Sequence, residues 1–138
     1  MTAFDCQGDS DWNRYSTWNY FNDAINDTLI RELGDALVST GLAAVGYRTL
    51  NIDAGYLIHE RHTVTKQLQV NATKFPHGMR PLADYLATQG IGLGVYTDHG
   101  NGSCGFGPGS YGHYDLGAPQ YGQPPQPFLP APSAANLL

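Results

Sequence analysis

Charge is scarce in this chain, and basic charge is scarcest. Lys and Arg number 7 among 138 residues, against 12 Asp and Glu, and the net charge is −5. The basic residues stand singly along the sequence. Nucleic acid and anionic membrane surfaces both call for clustered Lys and Arg, so neither is expected as a partner. Long apolar runs are also missing; none approaches the roughly 18 residues of a membrane span. Cysteine is limited to Cys6 and Cys104, too few for a disulfide framework. The opening MTAFDCQGDSDWNRY has neither the basic start nor the apolar centre of a signal peptide, which taken literally means a chain made in the cytosol. Three sequons pull the other way, beginning at Asn26, Asn71 and Asn101, so the compartment stays open.

What is present suits a folded domain. Hydrophobic residues make up 41% of the chain, enough for a core rather than disorder. Residues 28–40 carry Leu29, Ile30, Leu33, Ala36 and Leu37 at helical spacing, with Asp27 as the expected cap and Gly41 as the left-handed stop. Residues 47–53 follow as a β-rich run ending on Asp53. A second helix is expected from near His77 to Gly90, with Met79, Leu82, Ala83 and Leu86 on one face; Pro81 is tolerable in its first turn. The run 91–97 reads as a buried strand that leads to Asp98. Helix, glycine, strand and terminal Asp thus occur twice, which argues for parallel βα units. An α/β barrel and a doubly wound sheet give the same local pattern. Periodicity does not choose between them.

Six prolines fall between Pro119 and Pro132, which excludes a helix or central strand there. Residues 117–138 are therefore expected to be a disordered or polyproline-like tail, and a Pro-rich ligand for adaptor domains is a conceivable use.

Several motifs invite chemistry. Gly100 to Gly105 fits G-x-G-x-x-G after a strand, but Gly107, Pro108 and Gly109 block the helix that a dinucleotide fingerprint needs. His59, Glu60 and His62 sit in a loop-like segment with no third ligand at a usual spacing, so a solvated loop is expected rather than a metal site. His99 beside Asp98 reads as a structural hydrogen bond, since neighbours on a strand face opposite sides. Asp53 and Asp98 end strands, where barrel enzymes place substrate ligands; capping of the following loop is the other reading.

These segments have a family resemblance. STWNYF (16–21) is similar to the first-strand motif of family 27 glycoside hydrolases, the α-galactosidases and their relatives. TLNID (49–53), KFPHG (74–78), GVYTDHGNGSC (94–104) and GSYGHYD (109–115) resemble, in order, the second-strand motif, the loop before the second helix, the third-strand motif and the entry to the third helix. The resemblance runs from about Trp12 to Leu116, leaving residues 1–11 as an extension and 117–138 as the tail. It implies an α/β fold, the first three or so βα units of a (β/α)8 TIM barrel that hydrolyses α-galactosides with retention, without metal or cofactor. Trp18, Asp53 and Tyr96 would line the sugar's half-pocket. The family's nucleophile ends the fourth strand and its acid lies near the sixth. No catalytic residue is therefore expected among these 138, and the chain is expected to be an inactive fragment of such an enzyme. A non-catalytic carbohydrate-binding remnant, or a relative acting on another sugar, are the alternatives. Relatives of this family are usually secreted, lysosomal or vacuolar.

Two departures from the family pattern stand out. Paired aspartates are replaced by Asp53 and Ala54, removing one acceptor for sugar hydroxyls. The early disulfide's positions correspond to Asp23 and Gly55, and Cys104 keeps one half of another disulfide whose partner follows the nucleophile. The resemblance leaves Cys104 a free thiol.

Overall fold

The computed structural model describes residues 13–103 and 106–116. The expected N-terminal extension, Cys104 and the Pro-rich tail lie outside the described residues. Three short strands, β1 (Arg14–Ser16), β2 (Thr49–Ile52) and β3 (Gly92–Val95), form one parallel sheet in the order β1-β2-β3. Leu50 of β2 stands opposite Tyr15 on one side and Leu93 on the other. Side chains alternate along a strand, so Leu50 and Ile52 share one face of β2 while Thr49 and Asn51 share the other. Leu50 and Ile52 are completely buried, in one apolar cluster with residues of the two long helices.

Those helices are α2 (Asp27–Ser39) and α3 (Met79–Thr88), which follow the single turn α1 (Trp18–Phe21). Ile30 and Leu37 of α2 and Met79, Leu82 and Leu86 of α3 supply the buried stripe that the apolar spacing anticipates. Both helices stop where expected, at Gly41 (φ +82°) and Gly90 (φ +75°), positions a β-carbon would disfavour. Gly34 lets the helices close on each other, since a β-carbon there would strike Leu86 Cδ2.

Three local expectations change. Asn26 caps α2, not Asp27: its extended backbone presents Oδ1 to the Leu29 N–H at 2.8 Å. Asp27 is the first helical residue and pairs with Arg31 at 2.7 Å, one turn on. Of STWNYF, only Ser16 belongs to the strand. Thr17 N–H still reaches Asn51 O, but the Phe21 and Asn22 amides turn back to Thr17 O and Trp18 O, closing a helical turn. The third helix expected after residue 109 is, within the described residues, a 3-10 turn at Tyr114–Leu116.

The long connection after β2 doubles back on itself through an antiparallel bridge between Leu57 and Val70. Its outer part is tied down by Arg61, which donates to Lys66 O and to Gly109 O, each at 2.7 Å.

Candidate functional site

Parallel pairing puts the C-terminal ends of β1, β2 and β3 side by side, and each end delivers one of the three residues expected at the pocket. Thr17 organises the first two. Fully buried, it accepts the Asp53 N–H on its Oγ1 at 3.1 Å. Trp18 follows directly, half-buried, with its ring edge-on to Phe106 at 5.3 Å between centroids. Asp53 leaves β2 with Oδ1 accepting the Ala54 N–H at 2.8 Å. Tyr96 leaves β3 with 37% of its surface exposed; its amide bonds Ile52 O and its carbonyl accepts from Tyr56 Oη at 3.0 Å.

These ends surround a recess of about 10 Å³, lined among others by Ala54, Tyr56, Tyr96, Asp98, Ser103 and Phe106. That volume admits about one water or one hydroxyl group. Tyr96 lines it directly. Trp18 adjoins it through Phe106, and Asp53 through its neighbour Ala54. The floor is apolar, from Ala54 and Phe106, and the polar groups are a carboxylate and hydroxyls. Hydrogen-bond acceptors beside aromatic surface suit a neutral polyol.

Asp98 carries the charge here. Its Oδ1 accepts the Gly100 N–H at 2.6 Å and its Oδ2 accepts the Tyr96 hydroxyl at 2.9 Å. The Gly100 bond foremost, then the Tyr96 bond, hold its pKa below the usual carboxylate value, against a smaller opposing effect of desolvation; nearby His99 adds to the lowering. Asp98 thus stays ionised, as an acceptor and not as an acid. It also caps the glycine-rich turn, the capping use expected of a strand-end carboxylate. Gly109 lies so close to Gly100 O that a β-carbon there would collide with it, which explains a glycine at that point of the turn.

Beyond Asp98 lies an open polar cleft of about 250 Å³ between Thr97, His99, Ser110, His113 and Tyr114. His99 stacks on Tyr114 at 5.1 Å, and its Nε2 lies 3.2 Å from Tyr114 Oη, the structural use expected of it. In the HERH segment, His62 Nδ1 accepts the Thr65 N–H at 3.1 Å within its own loop. Among the described residues no group of three or more His, Cys, Asp and Glu side chains is arranged to hold a metal.

Sequence reasoning missed Thr17, Phe106 and Tyr56. Phe106 alone had a signal, as the one aromatic residue in a glycine-rich turn.

A family model described as alpha galactosidase A matches residues 4–125. The chain belongs to this family. Among alpha-galactosidase relatives, the enzyme of Cyamopsis tetragonoloba is 39% identical over 127 residues, covering 91% of this chain and 30% of its own length. The solved alpha-galactosidase I from Mortierella vinacea superposes with a TM-score of 0.71 at 33% identity, over 75% of this chain and 26% of that one. An alpha-galactosidase from Saccharomyces cerevisiae, solved with raffinose, gives 0.71 at 27% identity over 75% and 22%. The chain therefore spans less than a third of the length of these alpha-galactosidase relatives.

Proposed function

We propose that this chain forms the sugar-recognising part of a (β/α)8 barrel acting on terminal α-galactosides, and that on its own it binds sugar without cleaving it. The observation that carries this reading is the convergence of Trp18, Ala54 beside Asp53, and Tyr96, from three consecutive parallel strand ends, around one recess. Barrel enzymes build their sites at that end of the sheet. Retaining hydrolysis needs a carboxylate nucleophile and a second carboxylic acid about 5–5.5 Å away. By resemblance, those two groups belong to the fourth and sixth strands. Asp53 and Asp98 each accept a neighbouring amide on Oδ1, which orients them as hydrogen-bond acceptors.

Incubation of the purified chain with p-nitrophenyl α-galactoside should release no p-nitrophenol, while calorimetric titration with galactose should saturate. Turnover would overturn the non-catalytic part of this reading, and absence of binding the sugar-recognising part. Ala54 favours a second reading, a relative with a different preferred sugar, because one hydroxyl acceptor of the family pattern is gone. Titration with a panel of neutral hexoses separates the two.

A further inference from the structure

We propose that Asp98 is the second carboxylate acceptor for the hydroxyls of a bound sugar, taking over the role of the aspartate that Ala54 replaces. The proposal rests on the sugar-binding reading above. Ala54, 7% exposed, and Asp98 line the same recess. A methyl group at position 54 leaves room there for one hydroxyl and not for a ring. The ring itself would lie outside, against Trp18, Phe106 and Tyr96.

The carboxylate is built to receive that hydroxyl. Each Asp98 oxygen already holds one donor, the Gly100 amide on Oδ1 and the Tyr96 hydroxyl on Oδ2. A carboxylate offers about four lone-pair sites, so capacity remains on both oxygens. The two bonds fix its orientation, and the donors stabilise the ionised form. Because the Tyr96 hydroxyl donates its hydrogen bond to Asp98, that donor is not offered to a ligand. The wall is thus an acceptor surface with a negative charge. It selects neutral, hydroxyl-rich sugars and disfavours uronic or phosphorylated ones.

The test is galactose titration into the whole chain and three variants: Asp98→Asn, Ala54→Asp and the double substitution. Asparagine keeps an oxygen for the Gly100 amide, and thermal melting checks that the turn survives. In the native background Asp98→Asn should weaken binding about 10- to 150-fold, the loss of one charged hydrogen bond. In the Ala54→Asp background the same change should cost nothing or improve binding, because the restored carboxylate serves and the two like charges no longer oppose each other. Equal loss in both backgrounds, within about 2-fold, or no loss in the native one, would overturn the proposal. If Asp98→Asn melts early, Ala54→Asp alone decides: a gain under about 2-fold supports Asp98 as the acceptor already in place, and a gain of about 10- to 150-fold refutes it. Failure of the native chain to bind galactose would sink the sugar-binding reading and this one with it. Native binding that is indifferent to Asp98 would sink this one alone.

Discussion

Gly55 presses directly on Asp23. A β-carbon at Gly55 would stand 2.7 Å from both Cα and Cβ of Asp23 and 2.9 Å from its carbonyl oxygen. By resemblance, these are the two positions of the family's early disulfide. Here the loops after β1 and β2 are joined by that close approach and by Lys74, whose ammonium group donates to Asp23 O at 2.6 Å and Gly55 O at 3.0 Å. The Lys74 carbonyl in turn accepts the Asp27 amide at the start of α2.

Gly55→Ala should therefore destabilise the fold. The new methyl meets backbone, which yields poorly, and the native φ of +96° is strained for any other residue. A cost of about 1–3 kcal/mol is expected. Chemical denaturation should show a lower midpoint with an unchanged slope.

Lys74→Met keeps the length of the side chain and removes both donors. Two carbonyls then lose a charged partner, at a cost of about 1.5–3 kcal/mol in all, since the Asp23 end reaches water. On the proposed sugar-binding reading galactose affinity should fall as well, because the clamp fixes the connections after β1 and β2 that carry Trp18 and Asp53. Lys74→Arg should fall between native and Met in both measurements.

Gly34→Ala should cost about 1–3 kcal/mol through overpacking against Leu86. Leu86→Ala alone should cost about 2–5 kcal/mol by leaving a cavity in the core. Because the added methyl partly fills the space that Leu86 vacates, the double variant should lose less than the sum. Additive losses in a double-mutant cycle would show that the two helices do not meet as described.

The turn capped by Asp98 should survive mild acid. A carboxylate whose folded pKa is depressed contributes stability that is fully present above the unfolded pKa of about 3.9 and is lost as pH falls through the lower folded value. The Gly100 amide resonance should accordingly titrate with a midpoint below about 3.9. A midpoint at or above it would contradict the bonding described. Asp98→Asn should abolish that titration.

Much of the architecture is legible in the sequence because it is local. The stripes Ile30–Leu37 and Met79–Leu86 carry their own period, and Gly41 and Gly90 mark the ends that their backbone angles require. Competition between adjacent polar residues is harder to read. Asn26 and Asp27 are both good caps, and the Lys74 carbonyl, distant in sequence, engages Asp27 as the first helical residue. Strand ends blur for a similar reason: Tyr47 and Arg48 look β-rich, yet their amides bond Leu42 and Gly46 in the preceding turn. At the site, Trp18, Asp53 and Tyr96 were accessible through resemblance to family motifs. Thr17 was not, because a buried hydroxyl receiving a distant amide leaves no mark on the spacing of either segment; Phe106 stands out only as a lone aromatic in a glycine-rich turn, with nothing to say which ring it meets.

The plain strand order β1-β2-β3 has a consequence for biosynthesis. Each strand after β1 pairs with the one before it, so β2 and β3 each find a partner already made as they emerge. With parallel pairing, every wall of the recess is laid down in the order in which it is translated, closing with Phe106 and Pro108. A nascent chain emerging N-terminus first can thus assemble the recess on a sheet that is already paired, one strand at a time.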